Sequence, residues 1–150
     1  MIIKRGTVKR EPAPLPDERG STEKLSDAGR LTQYGAYVIT LEPGAKSSNR
    51  HWHSGEDEFL YMLEGEATIV ENDGAHVLTR GDAACWPAGV ANAHHVLNRT
   101  TAACSYLIIG TRVTHDVCKY PDLARTLYTE GETWRLVNDV DGAVLKSGQV

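Results

Sequence analysis

Hydrophobic and polar positions along this chain fall into short runs, closed every few residues by turn formers. The first clear run is YGAYVITL at positions 34–41, rich in aromatic and β-branched residues and closed by Glu42, Pro43 and Gly44. Residues 59–63 and 67–71 read as two strands joined at Glu64 and Gly65. Asn72, Asp73 and Gly74 tolerate the positive φ of a tight hairpin, so residues 75–79 are expected to return as a strand. Arg80, Gly81 and Asp82 turn the chain again, and a short strand at 83–86 ends at Pro87. Residues 94–98 and 102–113 supply the last strands of this region. Many short strands with regular turns predict an all-β sandwich or barrel.

The flanks read differently. Residues 1–33 carry Pro12, Pro14, Pro16, Gly20 and Gly29 among many charges, which predicts an arm with one short strand near its start. After Val113, Tyr120-Pro121-Asp122 followed by LARTLY predicts a short helix with proline at its first position. Residues 132–138 and 143–146 flank a turn at 139–142 and predict a terminal hairpin. The expected organisation is an arm at 1–33, a barrel at 34–113 and an extension at 114–150, together one domain.

Chemistry concentrates between Gly44 and Gly65. His51 and His53 are two apart, so on a strand their imidazoles share a face. Glu58, returning on the next strand, could meet them there. Two neutral nitrogens and a carboxylate oxygen suit a divalent transition metal. A second stretch, GDAACWPAGVANAHHVLN at 81–98, sharpens this. Gly44, His51, His53, Glu58 and Gly65, followed by Gly81, Pro87, Gly89, His94 and Asn98, resemble the two sequence motifs of the cupin superfamily, in order. The chain departs from the family pattern twice. Six residues rather than five separate Gly44 from His51, and four rather than two separate Gly89 from His94. The second departure leaves the fourth ligand between His94 and His95. His94 is preferred, because four-residue spacing puts it on one strand face with Asn98.

The resemblance covers about residues 34–113. It implies a double-stranded β-helix, the jelly-roll cupin barrel, with the arm and a short helix and hairpin as extensions. It also implies one divalent metal ion (Zn, Mn, Fe or Ni) held by His51, His53, Glu58 and His94, with open positions for water or substrate. Small cupins of this kind resemble sugar-phosphate isomerases, so a non-redox isomerase, epimerase or lyase acting on a small sugar, sugar phosphate or hydroxy acid is expected. An iron-dependent dioxygenase or a binding module without turnover are the alternatives. His95 and Tyr61 are candidates to move a proton. Arg50, Asn92 and Tyr106 are candidates to hold substrate, with Tyr37 and Trp86 as further wall residues. Arg50 adjoins His51 and would clamp an anion through its guanidinium. Pairing of sheet edges, which an open barrel must protect, predicts a homodimer.

Composition narrows the partners. The chain has 150 residues, 41% of them hydrophobic, enough for one core with a site inside it. Net charge is −4, and positions 51–100 carry eight Asp or Glu against two Arg and no Lys. Nucleic acid requires a basic patch, so it is not an expected partner; a small polar molecule is. No apolar run is long enough for a membrane span or a secretory leader, which predicts a cytoplasmic protein. Three cysteines without a CxxC pair fit a reducing compartment. Cys85 and Cys104 lie in strand-like runs and are expected to be buried as small hydrophobes. None of Cys85, Cys104 and Cys118 stands at ligand spacing, and none is assigned a role. His76 is expected to face solvent, and His115 has no assigned role.

Overall fold

The computed structural model describes residues 1–13 and 19–149. The chain forms the expected all-β barrel of jelly-roll type. Its strands in order are β1 (Arg10–Pro12), β2 (Gly20–Lys24), β3 (Tyr34–Leu41), β4 (Trp52–His53), β5 (Glu58–Glu64), β6 (Glu66–Val70) and β7 (Ala75–Thr79). They continue with β8 (Ala83–Trp86), β9 (His95–Leu97), β10 (Cys104–Thr111), β11 (His115–Tyr120), β12 (Arg125–Glu130), β13 (Thr133–Asn138) and β14 (Val144–Gln149). A single helical turn, α1 (Leu25–Ala28), separates β2 from β3. No helix among the described residues is long and apolar enough to cross a membrane.

One wall is a six-stranded sheet in the order β1-β2-β3-β10-β5-β8. β10 is its spine, paired along its whole length with β3 and most of it with β5. The facing wall contains the three-stranded sheet β7-β6-β9 and the sheet β14-β13-β12-β11-β4. Strand alternation sends Leu60 and Met62 of β5 inward, and both are fully buried. They pack with Leu41, Ile69, Val96, Trp86 and Tyr106 into one core between the walls. Gly65 makes the tight step from β5 to β6. Its φ is +74°, and a Cβ there would sit 3.0 Å from the Ala103 carbonyl and from Cys104. Both the left-handed backbone and the close approach exclude a larger residue.

Several sequence expectations are corrected here. The arm holds two strands rather than one, and it is part of the main sheet: β2 pairs with β3 over five positions. The part of the arm at 14–18, with Pro14 and Pro16, lies outside the described residues. The stretch after Tyr120 is not a helix. Pro121–Leu123 is one 3-10 turn, which ends at Ala124 in a left-handed conformation (φ 48°, ψ 51°). Arg125–Glu130 then pairs with β11 on one side and β13 on the other, six positions each. Two full ladders outweigh a local helical preference of a few tenths of a kcal/mol per residue. The terminal hairpin forms as β13 and β14. Cys85 is exposed, because β8 turns Trp86 inward and its neighbour outward.

Candidate metal centre

His51 and His94 are brought together by their own backbones. His51 N–H donates to the His94 carbonyl at 3.1 Å, and His94 N–H donates to the His51 carbonyl at 2.8 Å. Such a mutually bonded antiparallel pair puts both side chains on one face. The two extra residues before His94 are absorbed in an exposed loop, where Val90 and Asn92 turn back on Pro87 and Val90. His94 therefore keeps its place beside Glu58, with Nε2 and Oε2 2.8 Å apart. His53 enters from β4, its ring centroid 5.1 Å from that of His51 and its Nε2 4.0 Å from Glu58 Oε2. The indole of Trp86 stacks on His94 at 3.7 Å and 7°, and its N–H is held by Glu71.

All three imidazoles have Nδ1 tied to an oxygen acceptor. His51 Nδ1 donates to the Asn49 carbonyl at 2.8 Å, His53 Nδ1 to the Asp116 carboxylate at 2.6 Å, and His94 Nδ1 to the Asn92 carbonyl at 3.2 Å. A carbonyl can only accept, so in His51 and His94 the proton sits on Nδ1 and Nε2 is the free donor atom. Metal-binding histidines are oriented this way. His94 Nε2 and the Glu58 carboxylate then face each other as two acceptors, and a proton or a cation between them removes the repulsion. Atoms bound to one zinc-sized ion at about 2.0–2.3 Å lie up to roughly 4.6 Å apart. The potential ligand atoms of His51, Glu58 and His94 lie within 4.8 Å of one another. The donor types suit a divalent metal; His51, Glu58 and His94 form one close group, while His53 groups with His51 and Cys118 and meets the first group through His51 and its 4.0 Å approach to Glu58.

Charge in the cluster is uneven. Burial pushes His51 down to about 4, so it is neutral at ordinary pH. Burial also opposes charge on His53, but hydrogen bonds to Cys118 and Asp116 and the field of Glu58 outweigh it and push His53 up to about 10. Burial would raise Glu58, yet a proton held between it and His94 Nε2, together with the neighbouring imidazoles, holds its carboxyl below the usual range. Asp116 is likewise raised by burial but held low by His53, the Gly55 N–H and Ser54.

The cluster borders a cavity of about 190 Å³, room for roughly six waters. His51, Glu58 and His94 form one side of it, while His53 is not part of its wall. Ser21, Thr22, Thr40, Ser47, Ser48 and Tyr106 add hydroxyls, and Ile39, Ile108 and Val96 add apolar surface. No Lys or Arg is among the lining residues described. The sequence candidates divide on this geometry. His95 lines the cavity, half-buried, with Nδ1 donating to the Ser48 carbonyl at 3.1 Å and Nε2 left free. Tyr106 is buried in the wall, and burial raises its hydroxyl well above the ordinary value despite a hydrogen bond to Ser47.

Tyr61 does not line the cavity. It is 40% exposed on the face of β5 opposite Leu60 and Met62. Arg50 is already engaged: it grips Asp122 through Nε at 2.9 Å and Nη2 at 2.7 Å, and Asn72 Oδ1 through Nη1 at 2.8 Å. Asn92 holds the Asn72 N–H and serves the loop, not the cavity. The hydroxyl of Tyr37 meets Arg112, away from the cluster. His76 is exposed, as expected. Sequence reasoning missed Asp116 and Cys118. Both come from β11, where Asp116, Cys118 and Tyr120 share a face and Cys118 stands directly opposite His53. The alternation in HDVCKY was the available signal, once 115–120 is read as a strand beside His53.

Comparison with known proteins agrees with this arrangement. A cupin domain profile matches residues 37–110. A sugar phosphate isomerase from a cupin superfamily, from Silicibacter pomeroyi, is 32% identical, with a TM-score of 0.87 over 100% of this chain and 99% of its own. This chain is a cupin. An Acidithiobacillus ferrooxidans protein, provisionally called a sugar phosphate isomerase, is 31% identical, with a TM-score of 0.83 over 95% of this cupin and 91% of its own length. The polyketide cyclase RemF of Streptomyces resistomycificus, 23% identical with a TM-score of 0.63 over 74% of this cupin and 78% of its own chain, shares the fold alone. A search of curated proteins found no match.

Proposed function

We propose that this cupin holds one divalent metal ion through His51, His53, Glu58 and His94 and catalyses a non-redox isomerisation, epimerisation or elimination on a small sugar or hydroxy acid. The carrying observation is the cavity itself: three imidazoles oriented through Nδ1 and one carboxylate stand beside a small chamber rich in hydroxyls. A bound divalent ion supplies Lewis-acid polarisation of a carbonyl or hydroxyl oxygen. The remaining tasks fall to the chain. His95 is kept neutral by burial, and its Nε2 is free to take a proton from a carbon or hydroxyl of the substrate. Tyr106 stays protonated and, with Ser47, donates hydrogen bonds to substrate oxygens. Trp86 and the aliphatic residues of the wall exclude bulk water.

The two most similar structures above bear the name sugar phosphate isomerase. The isomerase part of that name suits this chamber better than the phosphate part. A phosphate dianion calls for Arg, Lys or a helix N-terminus. The described lining residues include no basic side chain, and Arg50 is committed to Asp122 and Asn72. An unphosphorylated hydroxy-carbonyl compound is the better match in charge and size.

The test is a screen of small aldoses, ketoses and hydroxy acids in deuterated water, with and without oxygen, on protein loaded separately with Zn, Mn and Fe(II). Deuterium should appear on the carbon next to the carbonyl or hydroxyl. His95→Gln should abolish turnover at least about a hundredfold while leaving metal content unchanged. Turnover that requires both iron and oxygen would overturn the proposal in favour of a dioxygenase. No turnover with a tightly co-purified ligand would overturn it in favour of a binding module.

A further inference from the structure

The C-terminal extension walls a second cavity. Pairing across β11, β12, β13 and β14 sets Cys118, Leu127, Leu136 and Lys146 in one row. Residues in such a row share a face of the sheet, and so do residues two apart along each strand. Tyr120 and Arg125, which stand opposite one another, therefore join that face, and Trp134 joins it two positions before Leu136. The cavity on this face has a volume of about 290 Å³, near the lower limit of small-molecule sites. Tyr120, Leu127, Trp134 and Leu136 give it aromatic and apolar surface and are only half-buried, while Arg125 and Lys146 are exposed. Trp134 is fixed in place: its N–H donates to the Gln149 carbonyl at 3.1 Å, and its ring lies against Gly148, where a Cβ would come within 2.9 Å. Among the described residues, neither Arg125 nor Lys146 has an ion-pair or hydrogen-bond partner for its side chain. Arg135, on the opposite face, is engaged by Glu130 at 3.3 Å and lies over the Tyr128 ring at 4.9 Å.

We propose that this cavity binds an organic anion with a flat apolar body and a carboxylate or phosphate head. The chain carries a net charge of −4, and the cavity beside the histidines has no basic side chain among its described lining residues. Two cations without partners above an apolar floor are the reverse of that setting. The Arg125 guanidinium offers a planar fork to either head group, and Lys146 adds a second positive charge. A ring stacks on Trp134 or Tyr120, and contact with Leu127 and Leu136 takes apolar surface out of water. A bare inorganic anion would leave that surface wet, and a neutral ring would leave the cations unused. The occupant is distinct from the hydroxy-carbonyl compound proposed for the histidine side, and the site needs no metal. Its place still bears on that side. Ser48 lines both cavities and Asn49 lines this one; the Ser48 carbonyl holds His95 Nδ1 at 3.1 Å and the Asn49 carbonyl holds His51 Nδ1 at 2.8 Å.

The experiment titrates the full chain, as isolated, with benzoate, phenyl phosphate, acetate and inorganic phosphate. The indole N–H signals of Trp52, Trp86 and Trp134 are followed by two-dimensional NMR. Benzoate or phenyl phosphate should move the Trp134 signal to saturation and bind at least about tenfold tighter than acetate or inorganic phosphate, because only the aryl anions cover the apolar floor. Whichever aryl anion binds tighter identifies the head group as carboxylate or phosphate. Arg125→Gln and Lys146→Gln should each weaken binding at least about threefold, and Arg135→Gln, on the other face, should not. All three positions are exposed, so the variants keep the core. Movement of Trp86 with Trp134 unmoved would place the anion on the histidine side and overturn the proposal. Equal affinity for phenyl phosphate and inorganic phosphate, and for benzoate and acetate, would overturn it too. So would a Trp134 signal that stays still at a probe concentration on the order of 10 mM, which fills most of any site with a Kd near 1 mM. The wild-type titration alone yields these outcomes, whatever the variants do.

Discussion

Replacing Asp116 with asparagine tests how the centre is organised, because the change removes one charge and almost no volume. Asp116 is 7% exposed and accepts from three donors: His53 Nδ1 at 2.6 Å, the Gly55 N–H at 2.8 Å and Ser54 Oγ at 3.2 Å. An asparagine that keeps its oxygen on Gly55 and Ser54 turns its NH2 toward His53 Nδ1. That nitrogen must then accept, and the ring proton moves to Nε2, where a metal would bind. In the wild type, His53 is pushed up to about 10 from 6.5. At pH 7 about three pH units separate it from deprotonation, on the order of 4 kcal/mol against metal uptake. Asp116 favours the protonated ring, but it favours a ring bound to a doubly charged ion more, so its removal is a net loss. Loss of such an outer partner costs about 10–100-fold in affinity, roughly 1.4–2.8 kcal/mol. Titration calorimetry with Zn(II) in buffers of different ionisation enthalpy reads affinity and proton release together. In wild-type protein His53 should contribute about one released proton, and between pH 7 and 10 the affinity should rise by about a decade per pH unit through this group alone. Asp116→Asn should weaken binding and reduce the release. Wild-type affinity with an unchanged proton count would refute the reasoning.

Leu60, with no exposed surface and contacts to both flanking strands, should cost about 2–5 kcal/mol when cut to alanine, read by urea unfolding. Arg50→Ala should lower stability by about 1–2 kcal/mol through loss of the Asp122 and Asn72 contacts and leave metal stoichiometry intact; loss of metal would return Arg50 to the site. The edges at β1, β8, β14 and β7 support a proposed homodimer formed by edge pairing, and a monomeric mass by light scattering at micromolar concentration would refute it.

Most of the barrel was legible before any coordinates. Tyr34–Leu41, Ala75–Thr79 and Ala83–Trp86 form as strands with the bounds that alternation and turn chemistry predict, since both signals are local. The turn at Asn72, Asp73 and Gly74 closes a hairpin for the same reason. His51, Glu58 and His94 were readable because strand periodicity and motif spacing both constrain them. What lay beyond the sequence depends on strands meeting across the chain. The 3-10 turn and β12 replace the predicted helix because β11 and β13 offer ladders that no local window contains. Arg50 is a clamp rather than a substrate anchor because Asp122 and Asn72, distant in sequence, arrive beside it. Asp116 and Cys118 reach His53 only through the pairing of β11 with β4, 65 positions apart at Cys118 and His53. Sequence alone determined which residues of each strand share a face, but not always which face is inward, as Cys85 and Tyr61 show. Tertiary structure decided which of them touch, because register between distant strands is set by the packing of the whole barrel and not by any one segment.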